Sequence, residues 1–207
     1  TAMIAFERLV RSGHAEGSGL LFTVAEEVGF LGAIRATRSG LIPRGATLLC
    51  LENSRSFAHD SPIGSGAILR VGDRLSVFSP EVTNALTQLY QRHATANPRF
   101  RWQRKLMPGG ACEATAFAAL GHRSTCLCLP LGNYHNMADI DEVLAGRTPA
   151  SIGREFVALR DIESLVDMLI VAARSLASQE SDPALGSYKP LIEKIWSERA
   201  KGVLKNS

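Results

Sequence analysis

Two short apolar runs constrain this chain more than any other feature. Residues 19–25 (Gly-Leu-Leu-Phe-Thr-Val-Ala) and 46–51 (Ala-Thr-Leu-Leu-Cys-Leu) are continuous, not alternating, and turn-forming residues lie close by. Runs this short, with no wet face, are expected as strands buried on both faces. Each ends on carboxylates, Glu26 and Glu27 after the first and Glu52 after the second. Helix signals alternate with further strand signals around them. Met3, Phe6 and Val10 mark one face of an amphipathic helix over residues 1–10, and a short helix is expected to end near Ser39. Residues 67–71 and 75–78 read as short strands around Gly72-Asp73. Ser79-Pro80-Glu81 starts a helix, with serine as cap and proline first, and Asn97-Pro98 stops it. Residues 99–105 alternate Phe100 and Trp102 with basic residues, which predicts a strand with one wet face. An alanine-rich helix over 113–120, a strand over 125–129 and a loop over 130–139 holding Tyr134 and His135 follow. Helices are expected over 161–178, capped by Asp161, and over 190–200.

This alternation predicts an α/β sandwich with helices on both faces of a sheet, as one domain over residues 1–207. Composition agrees: 45% hydrophobic and 21% charged residues lie in the ordinary globular range. A net charge of +3 is too small to imply a nucleic-acid partner. No apolar run approaches the ~20 residues that span a bilayer, so no membrane partner is expected. Cys50, Cys126 and Cys128 sit inside apolar runs and no C-x-x-C pair is present, so the thiols read as small buried hydrophobes in a reducing, cytoplasmic compartment. The opening helix has no initiator methionine, cap or signal peptide before it, so part of an active site is expected upstream of Thr1.

Glu26-Glu27, Glu52 and His135 all fall just past the ends of predicted strands, where α/β sheets usually carry ligands. Carboxylate and imidazole donors suit zinc, whose catalytic sites use about three protein ligands and keep one position open for water. Adjacent glutamates leaving a strand point in different directions. One can bind metal while the other faces the metal-bound water as a general base. A solvated helix cap is the alternative reading of the pair.

The stretch Phe22-Thr23-Val24-Ala25-Glu26-Glu27-Val28-Gly29-Phe30-Leu31-Gly32-Ala33 closely resembles the strand and turn of co-catalytic dizinc aminopeptidases. The resemblance is to the glutamyl aminopeptidase and tetrahedral aminopeptidase family, within the wider zinc amino- and carboxypeptidase clan. It continues through residues 66–74, Pro108-Gly109-Gly110 and Tyr134-His135-Asn136, and covers most of residues 1–175. It implies a three-layer α/β/α sandwich with a mixed, mostly parallel sheet of the phosphorylase/hydrolase-like kind. It implies Glu26 as general base and Glu27, Glu52 and His135 as metal ligands, with Glu52 where the family usually has aspartate. It also implies two zinc ions, a peptide substrate cleaved at its N-terminus, and a homo-oligomer. Two further family ligands, an upstream histidine and a bridging aspartate, have no counterpart in this chain, and Gly110-Ala111-Cys112-Glu113 stands where the family tends to have Gly-Thr-Asp. The chain is therefore expected to be the C-terminal part of a catalytic peptidase domain. Glu27, Glu52 and His135 should converge to within ~4–5 Å, given zinc–ligand distances of ~2.0–2.2 Å.

Other residues offer rival arrangements. Cys112 at a helix start, with His135, would suit a Cys-His hydrolase. His59-Asp60 reads as a polar surface turn, His93 and His122 as solvated, and Arg99, Arg101, Arg104 and Lys105 as a strand's wet face. A glycosidase needs two carboxyls flanking the scissile bond, which adjacent Glu26 and Glu27 do not naturally do. A carboxypeptidase or deacylase of the same clan, or a metal-free relative acting as a binding or assembly module, are the alternatives to the aminopeptidase.

Overall fold

The computed structural model describes residues 1–177 and, beyond them, Pro190, Ile192, Lys194 and Ser197; apart from these four, the helix expected over 190–200 lies outside the described residues. The elements in chain order are α1 (Ala2–Arg11), α2 (Leu31–Arg38), β1 (Thr47–Arg55), β2 (Ala67–Gly72), α3 (Pro80–Ala96), β3 (Trp102–Leu106), α4 (Glu113–Ala119) and β4 (Arg123–Leu131). A 3-10 turn (Tyr134–Asn136), α5 (Ile140–Leu144) and α6 (Leu159–Ala177) complete them.

The sheet order is β1-β4-β2-β3. β1 runs parallel to β4 from Thr47↔Arg123 to Arg55↔Leu131, and β2 runs parallel to β3. Only the β2–β4 pairing is antiparallel, centred on Leu69↔Leu127. Successive side chains of a strand point to opposite faces, and the core divides accordingly. Cys50, Ile68, Cys126 and Cys128 pack with Ala33, Ala36, Ala116 and Phe117 of α2 and α4. Leu69 and Leu127 pack with Leu86 and Tyr90 of α3 and with Leu165 and Met168 of α6. The result is the expected α/β/α sandwich with a mixed, mostly parallel sheet. The small thiols on one face of β4 let α4 approach closely, and all four cysteines are buried and unpaired. No helix among the described residues is long and apolar enough to cross a membrane.

Four local expectations are corrected. Residues 19–25 form no strand: Phe22 is 69% and Val24 75% exposed, because no neighbouring strand takes up their backbone groups. The end of that run instead folds back on α2, where Gly32 N–H donates to the Val24 carbonyl at 3.0 Å. A Cβ at Gly32 would stand 2.4 Å from that carbonyl oxygen, so the contact requires glycine. Residues 75–78 make a single bridge, Gly72↔Val77, not a strand. Asp161 does not cap α6; its fully buried carboxylate accepts the Gly64 and Gly66 amides at 2.7 and 2.8 Å and so fixes the start of β2. The wet face expected near β3 is polar but partly covered. Gln103 donates to the carbonyls of Pro62 and Gly66, and Lys105 is buried beneath the loop after β1.

Candidate active site

Glu26 and Glu27 occupy a turn between Ala25 and Phe30, both of which take left-handed backbone angles (φ 59° and 60°). The Gly29 and Phe30 amides close that turn on the Glu26 carbonyl, and Thr23 Oγ1 ties the preceding residues to Glu113 of α4 at 2.9 Å. Glu26 is half-buried and Glu27 exposed. Glu52 is not past the end of β1. The strand continues to Arg55, and Glu52 pairs with Cys128. It therefore shares the sheet face of Cys50, on the side of α2 and α4.

His135 is exposed in the turn after β4, where Asn133, His135, Asn136 and Asp139 also have positive φ. Six of the seven non-glycine residues with positive φ among the described residues thus lie in the two turns that carry Glu26, Glu27 and His135. Backbone strain of ~1–3 kcal/mol per residue persists only where surrounding structure enforces it, and it clusters at functional sites.

All four predicted residues line one cavity of about 480 Å³. Arg70 forms part of its floor. It is a lone charge in the apolar run 67–71 and only 1% exposed, which is the sequence signal that could have singled it out. Its Nη2 donates to the Asn53 carbonyl and to Ser54 Oγ, both at 2.9 Å, while Nε is buried without a partner. Two further cations in the wall are already neutralised. Lys105 Nζ lies 3.0 Å from Asp60 and donates to Arg55 O and Ser61 Oγ, and Arg55 pairs with Asp141. Both cations flank the Phe57 ring at 4.7 and 4.6 Å. None of the cavity's three glutamates makes an ion pair among the described residues.

Electrostatics follow from this layout. Burial pushes the Glu52 carboxyl up to about 7; the Arg70 charge opposes that rise and the Glu26 carboxylate adds to it. Glu26 is raised by burial and by Glu27 and Glu113, against Arg70. Tyr134, half-buried in the same wall, is raised by burial, with Arg70 opposing. Among the described residues, three carboxylates share a cavity in which Arg70 is the one Lys or Arg side chain that makes no ion pair. Such a site favours a cation, whether a metal ion or an ammonium group.

The donor types fit zinc, but their spacing does not close. Among the described residues no three His, Cys, Asp or Glu side chains stand close enough to hold a metal ion. The expected convergence of Glu27, Glu52 and His135 is therefore met only as a shared cavity. Glu27 and His135 ride on exposed rim turns, whereas Glu52 is held lower on the sheet. The other candidates fall away from this site. Cys112 is fully buried, with its amide bonded to Asp73; Asp60 is taken by Lys105; His59 stacks near Phe57 and His93 on Phe100. A second cleft of about 340 Å³, between Arg99–Arg101 and α6, contains none of the predicted residues.

Solved structures share this fold. A TET aminopeptidase from a marine-sediment Thaumarchaeota archaeon superposes with a TM-score of 0.60 at 18% identity, over 84% of this chain and 45% of that one. PhTET1-12s, described as a dodecamer, gives 0.56 at 20% identity, over 83% and 46%. The Pyrococcus horikoshii TET1 peptidase, described as assembling into a tetrahedron or a large octahedral shell, gives 0.51 at 22% identity, over 73% and 39%. This chain thus spans less than half the length of the solved relatives it matches. No protein with curated annotation matches it in sequence. The sequence profile of the M42 glutamyl aminopeptidases matches residues 2–147, and with that stretch carrying all four cavity residues, the chain belongs to the M42 glutamyl aminopeptidase family.

Proposed function

We propose that this chain is the C-terminal part of a zinc-dependent aminopeptidase, a hydrolase that removes N-terminal residues from peptides. The observation that carries the reading is the meeting of Glu26, Glu27, Glu52 and His135 in one cavity of an M42 chain. The acidic excess of that cavity suits the free α-ammonium group of a peptide. Glu27, Glu52 and His135 are the residues that would hold metal, two zinc ions being expected in the complete site. Bound zinc supplies Lewis acidity, polarising a carbonyl and acidifying water. Glu26 then serves as general base. Its half-buried, upshifted carboxylate takes a proton from water and returns it to the leaving amine. The missing donors, by family resemblance a histidine and a bridging aspartate, belong to the part of the relatives' fold that this chain does not span. Residues 1–207 are accordingly one catalytic-type domain in part, of a cytoplasmic homo-oligomer. One observation favours a rival: with no three-donor group among the described residues, a metal-free binding or assembly module of the same fold is the second reading.

Zinc analysis of the natural full-length protein, beside this chain and two variants, decides between them. Glu26→Gln should retain zinc yet lose roughly 10²–10⁴-fold in turnover, the usual worth of general acid–base help. Glu27→Gln should lose zinc first and activity with it, because an amide is a poor ligand beside a carboxylate. Equal zinc loss in both variants would reverse the assigned roles. A full-length protein that binds no zinc would establish the metal-free reading.

A further inference from the structure

Tyr134 is the cavity residue to which nothing above gives a task. Its phenol lines the same wall as His135, and the two rings meet edge to face with centroids 4.2 Å apart. Asn133 before it and His135 after it both hold left-handed backbone angles, so the direction of the Tyr134 side chain is set by the turn. The hydroxyl reaches over the 107–110 turn: a Cβ placed on Gly110 would lie 3.9 Å from Tyr134 Oη. That hydroxyl makes no hydrogen bond among the described residues, and both Tyr134 and the Gly110 it approaches line the cavity.

The other cations of the cavity offer no free donor at its surface. Arg70 Nη2 serves Asn53 and Ser54, all three Lys105 donors have partners and Arg55 is paired with Asp141, while the partnerless Nε atoms of Arg70 and Arg55 are buried. Asn53 alternates to the face of β1 opposite Glu52. Gly110 leaves room beside the phenol for the apolar end of Met107, whose Cε lies 2.6 Å from where a Gly110 Cβ would stand and which offers the hydroxyl no donor. An uncommitted neutral donor beside the carboxylate rim can add to the polarisation that bound zinc would supply to an amide carbonyl. Attack of water on the carbonyl carbon forms a C–O bond and moves the C=O π electrons onto oxygen. When the C–N bond breaks, that oxyanion collapses and the amine leaves with the proton handled by Glu26. A donor aimed at this oxygen binds it more strongly once it carries the negative charge.

We infer that Tyr134 is a catalytic residue whose hydroxyl donates a hydrogen bond to the carbonyl oxygen of the scissile amide and to the oxyanion formed from it. It transfers no proton. The inference rests on the aminopeptidase reading, and Tyr134→Phe tests it in the zinc-loaded full-length protein. The variant deletes one oxygen that makes no hydrogen bond among the described residues and keeps the ring on His135, so thermal stability and zinc content should be unchanged. Turnover should fall by about 10²-fold with KM within about twofold, as for loss of one oxyanion donor. Affinity for an α-aminophosphonic tetrahedral mimic should fall by at least tenfold, while affinity for a plain amino-acid amide should hold. Unchanged turnover in Tyr134→Phe, or equal weakening of mimic and amide, overturns the inference and leaves the aminopeptidase reading standing. Loss of zinc in the variant overturns it too, since the ring would then be acting through His135. A wild-type protein that cleaves no aminoacyl substrate overturns the reading and the inference together.

Discussion

Glu52 and Arg70 are carried by strands, whereas Glu26, Glu27 and His135 ride on turns, and the two parts of the cavity differ in nearly every physical respect. On the floor, β1 and β2 lie in one hydrogen-bonded sheet, Arg70 is fastened to Asn53 and Ser54, and the thiols of Cys126 and Cys128 lie close by in the core. On the rim, Glu27 and His135 are exposed and the backbone is held in left-handed angles. Free energy on the floor is stored as buried charge; on the rim it is stored as torsional strain. Charged groups on the floor are therefore coupled to global stability, and those on the rim are placed to do chemistry at little cost to the fold.

The sharpest way to break that contrast is Arg70→Met. Removing the guanidinium leaves Ser54 and the Asn53 carbonyl without their donor and Glu52 without its cation. The expected loss is about 2–6 kcal/mol in urea unfolding, from two buried acceptors left without their donor at ~1–3 kcal/mol each. A loss below 1 kcal/mol would mean that the floor is as loosely held as the rim.

Glu52→Gln comes next, and its effect depends on pH. The folded-state carboxyl titrates near 7 against an ordinary 4.5, so the folded chain holds the extra proton between these values. Its contribution is full below pH 4.5 and is lost as pH rises to 7, lowering stability by ~3 kcal/mol over that window. The wild-type protein, kept in chelator, should show this decline and Glu52→Gln should not. Matching slopes in the two proteins would place Glu52 in solvent.

Smaller effects are expected on the rim. Ala25→Gly relieves a left-handed angle that costs an L-residue ~1–2 kcal/mol, offset by the entropy of glycine in the unfolded chain. A net gain of ~0.5–1 kcal/mol in chemical denaturation is expected, and a net loss would show that the turn carries no strain. Glu27→Gln, with no ion pair and an exposed carboxylate, should change stability by less than ~0.5 kcal/mol. A drop above 2 kcal/mol would make Glu27 part of the fold and not of the site.

Legibility in the sequence follows the same division. Helix α3 shows through its Ser-Pro-Glu start and Asn-Pro stop, and β4 through its alternation of cysteine and leucine, because those signals are local. The carboxylates and His135 were readable as chemistry-bearing residues beside apolar runs. Arg70, Tyr134 and the pairing of Lys105 with Asp60 were not, since their meaning depends on partners 16 to 45 residues away or on the cavity they share. The strand expected at 19–25 but absent from the fold is a case where an apolar pattern met no partner: apolar continuity predicts burial, but only a neighbouring strand can satisfy the backbone.

Local patterning carried the α/β layering, the buried thiols, most of the helices and strands, and the four residues now found around one cavity. These follow from periodicity and from short motifs whose physics is complete within a dozen residues. Tertiary packing alone put Glu52 on the sheet face and not at a strand end. It alone made Arg70 the cation beneath the glutamates, turned Lys105 of β3 inward to structural partners, and left the rim donors too far apart to hold a metal among the described residues. The reason is physical. Burial, desolvation and ion pairing depend on which side chains the sheet brings together across long sequence separations, and no local pattern encodes that distance.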